Sequence, residues 1–340
     1  MKYFKIIFLV CGVILLCLAI YQYSKDSTTS PNLFNLIEKK PTTILVFGDM
    51  MLDRNVRRLI ELKGEMYPFQ NILEELKTSD ISVANLEGVF TKNDSISVKD
   101  NTVLRFTFDK KYINTIWSAG FDILSQANNH TFDFGRDGIL ESKQALSDVG
   151  IQTFGDYFNE KTEATVLLRN EKKIAFIGFN EFSYQNLAGV IESIKKAKET
   201  SDYVIVMPHW GIEYQNFPSN FQKNKAYAFV DAGADAVIGA HPHVIQPIEI
   251  YKNKPIFYSL GNFVFDQNFS KETTEGLAVR ISIYNDRNVF ELKPFNIISS
   301  QVSFKDMEEK DKTLKWLSDN SSVSEIVSEE IRMGKFEIVK

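Results

Sequence analysis

Histidine, carboxylate and amide side chains recur in this sequence directly after short apolar runs. Between Asp202 and Asp266, the runs DYVIVMPHWGIEYQ, DAVIGAHPHVIQP and KPIFYSLGNFVFD lead to His209 and Glu213, to His241 and His243, and to Asn262 and Asp266. The chain has 4 histidines, and the remaining one, His130, follows FDILSQ and the pair Asn128-Asn129. Nearer the N-terminus, TTILVFGDMM delivers Asp49, and DISVANLEG delivers Asn85 and Glu87. Nitrogen and oxygen donors in this mixture, without sulfur, suit one or two divalent ions such as Mn, Zn or Fe. Such ions lower the pKa of a bridging water and neutralise charge on a phosphoryl or carbonyl oxygen. An imidazole left off the metal can protonate a leaving group.

Each residue also has a plainer reading. Asp49 after Gly48 can cap a helix, and Asn128-Asn129 can be turn residues. His209 beside Trp210 can be a satisfied, half-buried histidine. In His241-Pro-His243, alternate residues face the same way only where the strand stays regular, and Pro242 can turn one of them to a supporting role. What favours a shared site is position. Short apolar runs bounded by turn residues read as buried strands, and strands alternating with helices read as a parallel sheet. Ligands bind beyond the carboxyl ends of such strands.

The elements that would position these groups follow in order. Strands are expected at Thr43–Phe47, at DISVANLEG, at FDILSQ, and near 151–154, 164–169 and 173–179. Helices are expected over Pro68–Lys77, Lys110–Ala119, Arg136–Val149, Val190–Thr200 and Phe221–Ala232, where apolar residues share a face. The segments 276–284 and 289–298 alternate in the β manner around Asn285-Asp-Arg-Asn and read as a hairpin. One layered α/β domain over 42–303 accounts for this order, with residues 304–340 as a charged helical tail.

Residues 1–23 are of another kind. Lys2 and Lys5 precede an apolar run from Ile6 to Tyr21, which as a helix spans roughly 24 Å. That length, with Tyr3, Phe4 and Tyr21 at the ends, reads as a signal anchor. A cleaved signal peptide is the rival, but no small-x-small cleavage site follows the run. The basic flank puts the N-terminus in the cytoplasm and the bulk of the chain outside, tethered by residues 24–41. Both cysteines, Cys11 and Cys17, fall inside the run, so residues 24–340 can form neither a disulfide nor a thiolate metal site. A net charge of −5, with no basic block among aromatics, gives nucleic acid no electrostatic purchase.

The segments GDMMLDRNV, ANLEGVFT, ANNHTFDFGRDGI, PHWGIEYQ, VDAGADAVIGAHPHVIQPIEIY and FYSLGNFVFD, in this order over residues 42–270, resemble the bacterial capsule-biosynthesis protein CapA family. The resemblance implies a link to poly-γ-glutamate production and an N-terminal membrane anchor. It also implies a four-layer α/β fold similar to the calcineurin-like metallophosphoesterases, with a β-sandwich flanked by helices. Residue by residue, it implies metal ligation by Asp49, Glu87, Asn129, His209, His241 and His243, with Glu87 bridging. His130 would be the acid near the leaving group. Met51 stands where the wider pattern has a histidine, which leaves one ion position a donor short. Arg54, Asn128, Arg136, Glu213 and Asn262 lie beside these motifs as candidate substrate-binding residues. Arg54 or Arg136 can grip an anionic group bidentately, although each also fits a loop-fixing ion pair.

The function this implies is that of a single-pass, extracytoplasmic membrane protein that makes, exports or attaches poly-γ-glutamate or a related anionic polymer. Its partners would be that polymer and other membrane components of a synthesis complex. Two further functions fit the same residues: a free-standing metal-dependent phosphoesterase, and a non-catalytic scaffold, which Met51 favours.

Overall fold

Strand β1 (Thr42–Met50) sets the layering of the molecule, because its successive side chains enter different cores. Ile44 and Val46 join one apolar cluster, while Leu45 and Phe47 join another. The period-two alternation of a strand requires this when both of its faces are covered. The computed structural model describes residues 40–100, 102–158, 163–183 and 186–340. The anchor expected over residues 1–23, and the tether as far as residue 39, lie outside the described residues.

Numbered in chain order, the larger sheet contains β1, β2 (Ile81–Leu86), β5 (Ile123–Ser125), β6 (Gln152–Phe154), β13 (Asn262–Val264), β14 (Glu275–Ile283), β15 (Arg287–Ile298), β16 (Gln301–Phe304) and β17 (Lys335–Val339). Its β1-β2-β5-β6 half is parallel, and β14, β15 and β16 continue it antiparallel from the other edge of β1. The second sheet contains β7 (Thr165–Arg169), β8 (Lys172–Asn180), β9 (Tyr203–His209), β10 (Ala236–Ile238), β11 (Ile248–Tyr251) and β12 (Lys254–Phe257), with β8, β9, β10 and β12 parallel. A short pair, β3 (Val89–Thr91) and β4 (Thr107–Asp109), stands apart. The helices are α1 (Arg54–Lys63), α2 (Leu73–Lys77), α3 (Ile113–Ala119), α4 (Gly135–Asp148), α5 (Leu187–Thr200), α6 (Asn220–Ala232), α7 (Met307–Asn320) and α8 (Glu325–Arg332).

Three apolar clusters hold these pieces in a helix–sheet–sheet–helix stack. Leu45 and Phe47 pack with Val56 and Ile60 of α1, Leu76 of α2, Ile116 of α3 and Leu146 of α4. Ile44, Val46 and Val83 meet Ile174, Phe176, Ile205, Met207 and Ile238 between the sheets. On the far side of the second sheet, Ile177, Val204 and Val206 pack on Val190 and Ile194 of α5 and Phe229 of α6. The stack brings the carboxyl ends of β1, β2 and β5 to the edge where β9 and β10 also end.

Two segments differ from the reading of the sequence. A helix was expected to begin at Pro68, but Gln70–Ile72 is a 3₁₀ turn leading into the short α2, and the longer helix is α1. Asp53 caps α1 by accepting from the Arg54 N–H at 2.9 Å. The capping role considered for Asp49 therefore falls to Asp53. The helical tail expected over 304–340 does contain α7 and α8, but it ends in β17, which pairs antiparallel with β15. Phe336 and Ile338 of β17 enter the core between the sheets, and Phe336 stacks on Phe290 at 4.9 Å. Among the described residues no helix is long and apolar enough to cross a membrane.

Because β17 contributes a buried aromatic ring, Phe336→Ala should lower the free energy of unfolding by about 3–5 kcal/mol in a urea titration. Val339→Ala, on the outward face of the same strand, should change it by no more than about 0.5 kcal/mol.

Candidate metal centre

Asp49 is fully buried where β1 passes between β2 and β13. The approach is so close that a side chain on Gly48 would sit 1.9 Å from the Gly261 carbonyl oxygen, so only glycine fits. The Asp49 carboxylate is nevertheless well supplied with donors. Its Oδ1 accepts from Asn85 Nδ2 at 2.8 Å, and its Oδ2 accepts from the His241 backbone N–H at 3.0 Å. His243 Nδ1 is 3.3 Å from Oδ2, and His209 Nδ1 is 3.8 Å from Oδ1. Glu87, one residue past β2, is also buried, with Oε1 3.6 Å from His243 Nε2 and 3.9 Å from His130 Nε2.

The His241-Pro-His243 segment is not a regular strand. His241 and His243 adopt φ of 96° and 58°, a region that ordinary side chains avoid at a cost of about 1–3 kcal/mol each. This geometry brings both rings to one centre, which an extended tripeptide around proline does not guarantee. His241 Nδ1 lies 3.1 Å from His209 Nε2, and His243 Nδ1 lies 2.9 Å from Asn262 Oδ1. His209 Nε2 is also 2.8 Å from Asn129 Oδ1.

Charge and burial work against each other here. Burial keeps His209 and His241 neutral, with His241 pushed down to about 3, partly by the neighbouring His243. Burial acts in the same sense on His243, but the Glu87 and Asp49 carboxylates outweigh it and hold the imidazole up at about 9. Burial raises the Glu87 carboxyl well above the usual range, and Asp49 and Glu213 add to the rise. The Asp49 carboxyl stays well below that range despite its burial, because His243, His209 and Asn85 favour its charge.

The expected site residues separate by position. Asp49, Glu87, Asn129, His209, His241 and His243 converge. His130 is beside them, with Nδ1 2.9 Å from Asp133 Oδ2 and its ring 4.2 Å from that of Phe106. A cavity of about 230 Å³ opens over the cluster, walled by Arg54, Glu87, Phe106, His130, Glu213, Tyr214, His243, Phe265 and Asp266. Another cleft of about 270 Å³, between Lys271–Glu275 and Lys312–Trp316, holds no imidazole. Arg54 is already engaged by Asp266 and lies over the rings of Phe106 and Phe265.

Asn128 and Asn262 do not face the cavity. Asn128 is buried, donating to Asn85 Oδ1 and the Leu86 carbonyl and accepting from the His130 N–H and the Thr131 hydroxyl. Asn262 donates to Gln267 Oε1 and the Thr273 carbonyl while accepting at His243. Both position other site residues. Arg136 stacks over Phe158 at 4.9 Å and is not part of the cavity wall.

Sequence reasoning gave too little weight to Asn85, whose amide links Asp49, His209 (Nδ1 at 3.2 Å) and Asn128. The available signal was its parallel register opposite Asp49, which only strand pairing supplies. Phe182, whose ring lies tilted against that of His241 with centroids 4.1 Å apart, had no signal in the sequence.

These residues fit a divalent ion. Ligand atoms of Asp49, Glu87 and His209 lie within 4.8 Å of one another, and Glu87 Oε2 is buried with no hydrogen-bond partner among the described residues. Nitrogen and oxygen donors without thiolate suit Mn, Zn or Fe. The fold and site thus define a layered α/β protein with a candidate metal centre at the meeting edge of its sheets. The family described as bacterial capsule synthesis protein PGA_cap matches residues 43–267, and the chain belongs to it. It is similar to the capsule biosynthesis protein CapA of Bacillus anthracis, 31% identical over 281 residues, covering 76% of this chain and 68% of that one. The PGA biosynthesis protein CapA of Bacillus subtilis is 32% identical over 267 residues, covering 74% and 70%. A probable polyglutamine synthesis accessory protein of Mycobacterium tuberculosis is 26% identical over 285 residues, covering 66% and 74%.

An incoming cation must displace the proton held at His243. Metal binding at pH 7.5 should therefore release protons and tighten as pH rises toward about 9, the value to which His243 is held. Calorimetry in buffers of different ionisation enthalpy measures this directly. Asn85→Ala should weaken binding by about 10–100-fold, because Asp49 and His209 lose the amide that orients them.

Proposed function

We propose that this protein is a membrane-anchored, extracytoplasmic member of the capsule-synthesis machinery. On this reading it handles poly-γ-glutamate or a related anionic polymer through a metal-dependent, hydrolase-type site. The observation that carries it is the convergence of Asp49, Glu87, Asn129, His209, His241 and His243 at one sheet edge, in a chain of this capsule family. The names of the relatives support the polymer, and the helix–sheet–sheet–helix stack supports a metallophosphoesterase-like scaffold. The run Ile6–Tyr21 with its basic flank supports the anchor, and other membrane components of the synthesis complex would be its partners.

One or two divalent ions at this site would polarise a phosphoryl or carbonyl oxygen and activate water. The chain's own residues supply the rest. Asp133 orients His130 through Nδ1, which leaves Nε2 on the cavity wall to pass a proton to a leaving group. Asn262 and Asp49 hold the His243 ring, and Asn85 and Asn129 hold that of His209. Arg54, fixed by Asp266 between two phenyl rings, offers the positive charge that an anionic chain would meet in the cavity.

The His130–Asp133 pair favours a second reading, a free-standing phosphoesterase, since that pair serves leaving-group chemistry irrespective of any polymer complex. The scaffold reading needs neither pair nor ion. A host lacking its own copy, complemented with wild type, His209→Ala, His241→Ala or His130→Asn, separates the three. Loss of surface polymer with all three variants is expected. Full polymer yield from the metal-ligand variants would sink the polymer-processing reading. Hydrolysis of phosphomonoesters or phosphodiesters by the purified chain, with no effect on polymer, would favour the free-standing enzyme.

A further inference from the structure

Met51 occupies the position where the wider pattern has a histidine donor, and its side chain does not reach the centre. It is fully buried in the helix-side core, and its sulfur accepts from the Asp53 N–H at 3.0 Å. This position therefore supplies no ligand atom, and the deficit must be met from another element or not at all.

A carboxylate comes in from the loop after β9. Ligand atoms of Glu213, His241 and His243 lie within 4.8 Å of one another, in a group that shares no residue with Asp49, Glu87 and His209. Glu213 stands on the same cavity wall as Glu87 and His243. Its loop is held on both flanks. The Gly211 N–H donates to Glu181 Oε2 at 2.7 Å, and the Tyr214 N–H donates to the Pro242 carbonyl at 2.8 Å. The Tyr214 hydroxyl accepts from Gln267 Nε2 at 3.1 Å. Gly211 and Tyr214 both have positive φ, 88° and 64°, so the backbone reverses sharply on either side of Ile212-Glu213. The bond to Pro242 ties this turn to the residue between the two histidines. Beside these groups Glu87 Oε2 is buried and, among the described residues, has no hydrogen-bond partner.

We propose that the site is built for two ions, one held by Asp49, Glu87 and His209 and the other by Glu213, His241 and His243. Glu213 supplies the donor that Met51 does not. Two imidazoles and one carboxylate suit Zn, Mn or Fe(II), and three protein donors leave positions open for water or a substrate oxygen. Glu87 faces both groups, since its Oε1 is 3.6 Å from His243 Nε2. All members of the first group are buried, whereas Glu213 is exposed, so the second ion is the one that exchanges with solvent. The assignment rests on the metal reading of the site and is independent of which polymer or ester the protein handles.

The test uses the full chain, stripped with chelator and titrated with Mn²⁺ or Zn²⁺. Ions per chain are counted by elemental analysis, and affinities are measured by calorimetry. Wild type should bind two ions. Glu213→Gln should unfold at the wild-type temperature in chelator and should weaken one ion by more than about 100-fold, beyond the about 10–100-fold that an outer-shell partner costs. Met51→Leu should bind both ions as wild type does, and His209→Ala should lose the ion that Glu213→Gln retains. A loss below about 100-fold in Glu213→Gln, a missing ion in Met51→Leu, or a single ion in wild type overturns the assignment. A wild-type chain that binds no ion overturns the metal reading as well.

Discussion

The burial of the Asp49 carboxylate is the constraint on which this structure depends. A charge taken out of water costs several kcal/mol unless it is paired and hydrogen-bonded. Asp49 meets that requirement with groups from distant parts of the chain: the Asn85 amide, the His241 backbone N–H and the His243 imidazole. The amide comes from β2 and the other two groups from the segment after β10, so the ends of β1, β2 and β10 must meet for the charge to be tolerated. The irregular register of β1 near Asp49, paired to Asn262 on one side and Asn85 on the other, follows from that requirement.

The same constraint accounts for the unusual backbone of the histidine pair. In an extended conformation the His241 N–H would belong to a sheet ladder. In the left-handed conformation seen here it turns to Asp49 while the two rings turn toward His209 and Glu87. Strain of this kind persists only where the surroundings over-determine it. Here the surroundings are the Asn262 amide behind His243, the Phe182 ring over His241, and the Tyr214–Pro242 bond that pins the neighbouring loop. A binding edge is thereby made rigid in the absence of regular secondary structure, which is what a preorganised site needs.

Apolar periodicity made much of the fold legible. The hairpin of β14 and β15, helices α4 to α6 and the buried strands that end in polar motifs all follow from it, because each repeats its pattern over enough residues to select one period. Several elements escaped, α1 and β17 among them. Helix α1 is rich in arginine and buries only Val56 and Ile60, so its stripe is too thin to stand out. Strand β17 is five residues long and alternates Phe336 and Ile338 with exposed neighbours, which among charged helices looks like more helix.

The site divides along the same line. Which side chains could act as donors, and that they follow buried strands, was determined by the local sequence, since strand ends and turn residues are short-range features. What each donor faces was decided by the tertiary structure. Asn128 and Asn262 turned inward to position other residues, and Arg136 went to Phe158 while Arg54 reached the cavity. Met51 bonded Asp53, and Glu213 came round to the histidine pair. The physical reason is that side-chain direction depends on backbone dihedrals and on register between strands far apart in the chain. Both are settled only when the two sheets close over the buried carboxylate.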